Sequence, residues 1–321
     1  MGKIVVTGTA GFIGSCLAHH LFRNVSTSLV LVDDFSKSEK SNNLIGLENC
    51  TQIDRSEFLG QLMDLDIDFI FHLGARTDTT EFDVSIFDQL NLNYSKTIWH
   101  YCAEHNVPLI YASSAATYGD GTLGFDDDLS TMDQLKPLNP YGQSKLDFDL
   151  WAKAQNNKPP FWIGLKFFNV FGPNEYHKTR MASVVFHAYH QINATGKMKL
   201  FQSHNPEYTD GGQTRDFIYV KDLIAVMLFW YDQKTGSGIY NLGTGVPRTF
   251  NDLANATFKA MGLQPNIEYI PTPEDIRDKY QYYTKAEMAR TLHQGYGKGF
   301  TSLEDAINDY VKFYLQQDAY F

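Results

Sequence analysis

The chain has 321 residues, of which 43% are hydrophobic, and its formal net charge is −10. This length suits one large domain or two linked ones. The negative charge argues against general nucleic-acid binding, and the sequence contains no apolar run of about 18 residues that would cross a membrane. The three scattered cysteines and a strand that begins at once predict a cytoplasmic protein without a signal peptide.

A glycine motif follows the first predicted strand, Lys3–Thr7. Gly8, Gly11 and Gly14 are spaced G-x-x-G-x-x-G, and a helical pattern begins at Ser15. In this context the glycines allow a tight turn, let the backbone approach a pyrophosphate and let the helix pack closely on the strand. The motif therefore predicts a dinucleotide-binding site.

The second predicted strand, Leu29–Asp33, ends on an acid about twenty residues further on, where such an acid binds the adenosine ribose hydroxyls. Lys37, Lys40 and Arg55 follow, and cations near this ribose favour a 2′-phosphate. Lys37 and Lys40 are also typical of a solvated polar stretch. NADP is therefore the favoured cofactor, with NAD as the alternative.

A third strand, Asp68–Leu73, leads into the small residues of Gly74–Thr77, which would let the backbone approach the cofactor. His72 is interpreted as a packed residue at the end of this strand. A helical pattern runs from Ile86 to Glu104. Asn91 lies within it, and because a buried helix Asn needs partners, we expect it to brace the active-site strand.

The candidate catalytic group combines a strand end with a helix start. Ser114 follows the apolar run Pro108–Ala112, at the carboxyl end of a strand, where open α/β sheets bind ligands. Tyr141 and Lys145 are four residues apart and share one helix face. A Lys ammonium one turn away would lower the pKa of the phenol. The set predicts hydride transfer at a carbinol, with Tyr141 moving the hydroxyl proton.

The second half of the chain is predicted to contain the remaining strands and a smaller domain. Its elements are the strands Phe161–Phe168, Lys199–Phe201, Gly238–Gly243 and Ile267–Ile270, the helices Met181–Asn193 and Arg215–Tyr231, a flexible loop at Gly211–Thr214, and two helices after Thr249. We place the cofactor domain at 1–168 and 216–246, and the substrate domain at 169–215 and 247–321. The sequence indicates no metal site, because His187 and His190 lack a third ligand.

Six strands alternating with helices, led by the glycine motif, predict an α/β fold: a doubly wound parallel sheet of the Rossmann type with a second, smaller α/β substrate domain. With Ser114, Tyr141 and Lys145, the chain resembles the extended short-chain dehydrogenases/reductases that act on nucleotide sugars. Within them, four stretches resemble the ADP-heptose 6-epimerase family. They are Ala112–Gly119, Thr79–Asp83, His177-Lys178 with Met181–Val184, and Arg215–Phe217.

The resemblance implies binding residues position by position. The implied NADP contacts are Gly8, Gly11, Phe12, Ile13, Gly14, Asp33, Asp34, Lys40, Arg55, Leu73, Gly74, Ala75, Arg76, Thr77, Asn91, Lys145, Val170 and Lys178. The implied ADP-heptose contacts are Ser114, Asn169, Arg180, His187, Phe201, Gln202, Ser203, His204, Arg215 and Tyr280. Arg180 departs from the family, in which a Ser is usual, and the insert between Asn205 and Thr214 is also unusual.

The resemblance further implies C6 epimerisation of ADP-D-glycero-D-manno-heptose through a 6-ketone, with bound NADP, for lipopolysaccharide synthesis by a homo-oligomer. Tyr141 and Lys178 would act as the two acid/base groups, Ser114 would orient the oxygen, and Lys145 would support Tyr141. A 4-epimerase of a UDP- or GDP-sugar and a non-catalytic NADP-binding regulator remain as alternatives. A 4,6-dehydratase is disfavoured, because Ala115 and Ala116 stand where dehydratases place Asp-Glu.

Overall fold

A seven-stranded parallel sheet forms the centre of the molecule in the computed structural model, which describes residues 2–26, 28–277 and 281–321. The strands are β1 (Lys3–Thr7), β2 (Leu29–Asp33), β3 (Thr51–Asp54), β4 (Ile67–His72), β5 (Leu109–Ser114), β6 (Trp162–Phe167) and β11 (Gly238–Leu242). Their order in the sheet is β11-β6-β5-β4-β1-β2-β3. The predicted doubly wound Rossmann-type sheet is confirmed, and the strand near residue 240 does return to it.

Three small two-stranded sheets lie outside the main one. They pair β7 (Asn169–Phe171) with β10 (Phe217–Tyr219), β9 (Thr214–Arg215) with β12 (Arg248–Thr249), and β8 (Met198–Phe201) with β13 (Ile267–Ile270). The predicted strands near residues 200 and 268 are therefore confirmed. The division of the chain into two domains stays a prediction.

Helices connect the strands. They are α1 (Phe12–Asn24), α2 (Arg55–Gln61), α3 (Val84–Phe87), α4 (Tyr94–Glu104), α5 (Pro140–Ala154), α6 (Val184–Thr195), α7 (Val220–Gln233), α8 (Phe250–Ala260), α9 (Glu274–Arg277), α10 (Ala289–His293) and α11 (Leu303–Phe313). The π-helical segment Asp88–Asn93 joins α3 to α4, so the long helix predicted around Asn91 is present with a widened turn. Within the described ranges, no helix is both long and apolar enough to span a membrane.

Side chains that alternate along the strands place apolar residues on both faces of the sheet. In β1, Ile4 and Val6 belong to one apolar cluster, whereas Val5 belongs to the other. Helices α1 and α7 pack in the first cluster, through Leu17 and Met227 among others, and α4 and α5 pack in the second. Burial on both faces explains why the strands are near-continuous apolar runs.

The sequence prediction missed β3, the edge strand Thr51–Asp54. Only Ile53 of its four residues is buried. A strand this short, with one buried side chain, lacks the apolar run by which the other strands were found. Its position at the edge of the sheet, paired on one side with β2, explains why so little apolar surface is sufficient.

Three predictions in the second half were wrong. Two helices were expected after Thr249, whereas the described residues there form four, α8 to α11. The helix expected from Arg215 begins at Val220, because Phe217–Tyr219 form β10, a fully buried strand paired with β7. The loop expected to be flexible at Gly211–Thr214 is tied down. The Gly211 N–H donates to the Phe201 carbonyl oxygen at 3.2 Å, the Gln213 side chain is buried, and Thr214 lies in β9.

The turn between β1 and α1 requires glycine at position 14. A Cβ on Gly14 would lie 2.1 Å from the Gly8 carbonyl oxygen, which is backbone and cannot give way. We expect Gly14→Ala to weaken dinucleotide binding at least about tenfold and to lower the melting temperature, since the clash displaces the turn. Cofactor titration and thermal unfolding measure both.

Gly60 supplies the matched control. It lies in α2 with open space where a Cβ would be. Because Ala is a better helix former than Gly by about 1 kcal/mol, Gly60→Ala should leave cofactor binding unchanged and stability equal or higher. Equal cofactor affinity in Gly14→Ala and the native chain would contradict the steric account of the turn.

Candidate active site

A cavity of about 590 Å³ opens where the first glycine turn meets the ends of β2 and β4. Among the predicted cofactor contacts, those that line it are Gly8, Gly11, Phe12, Ile13, Gly14, Asp33, Asp34, Lys40, Arg55, Leu73, Gly74, Ala75, Arg76, Thr77 and Lys178. These residues come from six separate stretches of the sequence, and the fold brings them around one space.

The glycine turn gives this cavity a wall of bare backbone. Gly8 has φ of +76°, a conformation that favours glycine. A Cβ there would lie 2.8 Å from the Gly74 nitrogen, so two glycine-containing loops approach each other closely. Gly11 N-caps α1 without a side chain, and the first-turn residues Phe12 to Gly14 line the cavity. A helix amino terminus next to exposed backbone can bind a pyrophosphate, so the residues present fit a dinucleotide.

The acids at the end of β2 are already engaged with the backbone and with cations. Asp33 Oδ2 accepts from the Ala10 N–H at 2.9 Å, and Lys40 Nζ donates to Asp33 Oδ1 at 3.1 Å. Arg55 Nη2 lies 3.3 Å from Asp34 Oδ2. Lys40 and Arg55 therefore lie at the predicted ribose position, each paired with an acid that could also bind ribose hydroxyls.

Asn91 lies outside the cavity and braces one of its loops. Its Oδ1 accepts from the Arg76 N–H at 2.8 Å, and its Nδ2 donates to the Arg76 carbonyl oxygen at 3.0 Å and to Ser144 Oγ at 2.9 Å. The predicted brace exists, but it ties the loop after β4 to α5 rather than supporting strand β5. Asn91 is the buried residue of the π-helical segment Asp88–Asn93.

His72 is a packed residue, as predicted. Its side chain is buried, with Nδ1 2.8 Å from Thr7 Oγ1 and Nε2 2.8 Å from Ser95 Oγ. Burial, together with the nearby Lys145, lowers the pKa of His72 to about 3. The ring is therefore neutral near pH 7 and fixes the end of β4.

A second cavity of about 340 Å³ adjoins the first and contains the candidate catalytic side chains. Ser114, Tyr141, Lys145, Asn169, Val170 and Lys178 all line it. It shares Phe12, Leu73, Thr77 and Lys178 with the dinucleotide cavity. The predicted serine, tyrosine and two lysines are thus gathered in one space beside the cofactor site.

Local sequence explains why α5 presents Tyr141 and Lys145 here. Asn139 caps the helix by accepting from the Gly142 N–H at 2.8 Å, and Pro140 occupies the first turn. A Cβ on Gly142 would lie 2.7 Å from the Ala116 carbonyl oxygen, so glycine allows the helix start to approach the segment after β5. Lys145 Nζ then reaches the Ala112 carbonyl oxygen at 2.8 Å.

Burial dominates the protonation of the reactive groups. It raises the pKa of Tyr141, and a hydrogen bond with Ser114 opposes the rise. Burial lowers the pKa of Lys145 to about 8, with the Asp149 carboxylate opposing the fall. It also lowers the pKa of Lys178, against the opposing charge of Glu175. The net shift of the Tyr141 pKa in this structure is therefore upward, opposite to the expectation, because burial makes the largest contribution.

Lys178 and Arg180 lie in a sharply bent segment, and of these two residues only Lys178 also lines the smaller cavity. Thr179 between them has φ of +46°, which is strained for a β-branched residue. Lys178 lines both cavities, whereas Arg180 lines only the larger one of these two. Arg180 Nη2 lies 3.5 Å from Asp78 Oδ1 and so connects this segment to the loop after β4.

The other predicted sugar-nucleotide contacts lie apart from both cavities. His187, Phe201 to His204 and Arg215 line neither of them. His187 lies on α6. The others are at or next to the insert, where Ser203 N donates to Asp210 Oδ1 at 2.8 Å and His204 N donates to the Tyr282 hydroxyl at 3.0 Å. Arg215 donates to the Gln281 carbonyl oxygen and lies over the Phe250 ring. Tyr280 lies outside the described residues.

Two buried acids near the site were not singled out from the sequence. Glu175 lines the smaller cavity and binds Ser183 Oγ at 2.7 Å, and Asp149 pairs with Lys166 at 2.9 Å. The only signal for Asp149 is its spacing, eight residues after Tyr141 on the same helix face. A search of the described ranges for a cluster of three or more metal-ligating side chains finds none.

The fold and the site define a class. The model of the NAD dependent epimerase/dehydratase family matches residues 4–243, and the chain belongs to that family. An ADP-L-glycero-D-manno-heptose-6-epimerase of Nitratidesulfovibrio vulgaris is 48% identical over 316 residues, 97% of each chain. The enzyme of the same name from Fusobacterium nucleatum is 44% identical over 330 residues, 99% of each chain.

A solved structure is similar over nearly the same extent. The crystal structure of the Helicobacter pylori ADP-L-glycero-D-manno-heptose-6-epimerase has a TM-score of 0.82 and 29% identity, and the match covers 97% of this chain and 96% of that one. These relatives confirm the resemblance to the ADP-heptose 6-epimerases that the sequence motifs predicted.

The position of Arg180 generates a prediction. Its side chain is 65% exposed and pairs with Asp78. Because an exposed ion pair contributes little free energy, Arg180→Ser should speed cofactor release by no more than about fivefold. The KM for the sugar nucleotide should stay unchanged. Asp78→Asn is the matched control and should give the same increase in release rate. A raised sugar KM with unchanged cofactor release would restore the original assignment of Arg180 as a substrate contact.

Proposed function

We propose that the chain inverts C6 of ADP-D-glycero-D-manno-heptose to give ADP-L-glycero-D-manno-heptose. The observation that carries this proposal is that Tyr141 on α5 and Lys178 on the bent segment after β7 line one cavity beside the dinucleotide site. Inversion at a carbinol needs proton transfer to and from oxygen in two orientations, and two acid/base groups on separate segments supply this. The names of the relatives at 48% and 44% identity support the same substrate.

The substrate dictates redox chemistry. C6 of the heptose is a secondary alcohol whose hydrogen is not acidic, so simple deprotonation cannot invert it. A nicotinamide cofactor bound in the larger cavity supplies a hydride acceptor and, later, a hydride donor. The glycine turn would hold its pyrophosphate. Lys40 and Arg55 support NADP over NAD, since both line this cavity beside Asp33 and Asp34 and would be able to bind a 2′-phosphate.

The protein's own groups handle the proton and the oxygen. In our proposal Ser114 orients the C6 oxygen, and Tyr141 accepts or donates its proton in one orientation. Lys178 does so after the ketone end has turned. Lys145 supports the Tyr141 phenolate by its charge and binds the nicotinamide ribose. The pKa of Lys178 is lowered by burial, which brings it closer to that of a useful acid/base group near neutral pH.

Binding of the ADP-sugar extends this proposal beyond the two cavities. Asn169 lines the smaller cavity with Ser114 and Tyr141, which we call the reaction cavity. The outlying residues His187, Phe201 to His204 and Arg215, together with Tyr280, would hold the nucleotide. This requires the substrate to reach from the reaction cavity to the insert. The two-domain division, the cytoplasmic location and a homo-oligomeric assembly belong to the same proposal.

The first experiment incubates the purified protein with ADP-D-glycero-D-manno-heptose without added reductant and follows C6 by NMR after anion exchange. We expect a mixture of the two epimers and no net NADPH in solution. Tyr141→Phe should lower kcat at least about 100-fold, because the proton carrier is lost. Absence of conversion with cofactor bound would refute the substrate, and a screen of UDP- and GDP-sugars for 4-epimerisation would follow.

Replacing Lys178 distinguishes a mechanism with two acid/base groups from one with a single acid/base group. Lys178→Met removes the ammonium and keeps a side chain of similar length, so we expect epimerisation to fall at least about 100-fold. Thermal stability should change little, and activity is compared at saturating cofactor, because Lys178 also lines the dinucleotide cavity. Lys153→Met, on the exposed end of α5, is the matched control and should retain full activity. Near-native epimerisation by Lys178→Met would end the two-base account.

A further inference from the structure

A buried charged network lies directly behind the reaction cavity. Asp149 and Lys166 have side chains that are 0% and 1% exposed, and they form an ion pair of 2.9 Å. Ser113 Oγ donates to Asp149 Oδ2 at 2.6 Å, and the Tyr111 hydroxyl donates to Asp149 Oδ1 at 3.0 Å. Lys166 Nζ also donates to Thr117 Oγ1 at 2.6 Å. Both Asp149 oxygens are thus engaged by β5 and β6.

Asp149 continues the row of Tyr141 and Lys145 along α5. Because the three residues are spaced four apart, they share one face of the helix. The three side chains face three consecutive residues of β5, Ala112 to Ser114. Tyr141 and Ser114 line the same cavity, Lys145 donates to the Ala112 carbonyl oxygen, and Asp149 accepts from Ser113. The contact of Asp149 with Ser113 therefore helps to set the distance between α5 and β5, as do the contacts of Tyr141 and Lys145.

Stability alone is a poor reason for such a pair. Removing two charges from water is costly, and well-packed apolar replacements of buried ion pairs are often as stable or more so. The pair lies one helical turn from Lys145, and the Asp149 charge acts on that ammonium. The position of the Asp149–Lys166 pair and the free-energy cost of burying it together indicate that the pair has a role in the candidate active site.

We propose that Asp149 is a positioning residue that holds Lys145 in its charged form beside Tyr141 and fixes α5 against β5. This rests on the proposed function, in which Lys145 must be an ammonium to support the Tyr141 phenolate. Lys166 neutralises Asp149 from the side of β6. Replacing the carboxylate should therefore make Lys145 lose its proton at lower pH.

Several other titratable groups lie near Lys145 or Asp149, and all remain in place in the two Asp149 variants below. They are Tyr141 on α5, His72 on β4, Tyr111 on β5, and Glu175 and Lys178, which line the same cavity. Burial keeps Tyr111 protonated, since it raises its pKa well above the ordinary value, and keeps His72 neutral. Neither changes charge between pH 6 and about 9.

The test compares the single variant Asp149→Asn with the double variant Asp149→Asn, Lys166→Met. The double variant removes both charges of the buried pair, so neither is left without its partner. In the native enzyme, kcat should fall as pH rises through the pKa of Lys145, about 8 in this structure. This fall in kcat is the alkaline limb of the pH profile. In both variants, the pH at which it occurs should be lower by on the order of one unit or more. A double variant that folds and shows the native alkaline limb would overturn the proposal and leave Asp149 a purely structural role.

Tyr111→Phe is the matched control, because it removes one hydrogen bond to Asp149 and keeps the charge. It should lower the melting temperature and leave the alkaline limb in place. A limb that shifts as far in Tyr111→Phe as in Asp149→Asn would show that packing, not charge, controls Lys145, and would overturn the proposal as well.

A second readout needs no substrate. In protein labelled with ¹³C-lysine, the Cε resonance of Lys145, assigned by its loss in Lys145→Arg, is titrated with pH in the native chain and in the double variant. The midpoint should be lower in the double variant, and equal midpoints would refute the proposal. If the native chain fails to convert the heptose, the proposed function fails, while this titration still decides the role of Asp149.

Discussion

The contact between α5 and β5 is the constraint on which the site depends. Three residues at helical spacing, Tyr141, Lys145 and Asp149, meet Ser114, Ala112 and Ser113 at the end of one strand. The strand is buried on both sides by its neighbours in the sheet, so it cannot shift to accommodate the helix. The helix start is fixed in turn by the Asn139 cap and by Gly142, which permits close approach to Ala116. A displacement of either element would separate the proton carrier from the serine that orients the oxygen.

The same arrangement explains why one parallel sheet can serve both cofactor and substrate. The loops after β1 and β4 and the end of β5 emerge at one edge, which is the general ligand edge of open α/β sheets. The bent segment around Thr179 brings Lys178 to this edge from a distant part of the chain. It lines both cavities, so the proposed second acid/base group lies at their junction. Inversion, as opposed to simple oxidation, requires such a group in addition to the tyrosine.

Much of the fold and of the candidate site could be predicted from the sequence, because these parts have a local sequence pattern that matches their chemistry. The glycine turn, five of the first six sheet strands and the Ser114, Tyr141 and Lys145 set have short-range signatures. β3 has none, because an edge strand with one buried residue shows no apolar run. The strand at Phe217 was taken for a helix, since a short apolar run fits both structures. Asp149 is one acid on a helix until folding places Lys166 against it, and the role of Arg180 depends on a loop distant in sequence. The pKa of Tyr141 depends on burial, which sequence does not show.

The central claim is that C6 is inverted by removal and return of its own hydrogen, not by exchange of a proton with solvent. The most direct measurement uses ADP-D-glycero-D-manno-heptose carrying deuterium at C6, incubated with the purified protein in ordinary water and analysed by NMR and mass spectrometry. The account predicts that the L-glycero product retains the deuterium at C6, and that unlabelled substrate turned over in D₂O gains none there. Loss of the label to solvent, or its uptake at C6 from D₂O, would contradict the redox account and imply inversion by deprotonation.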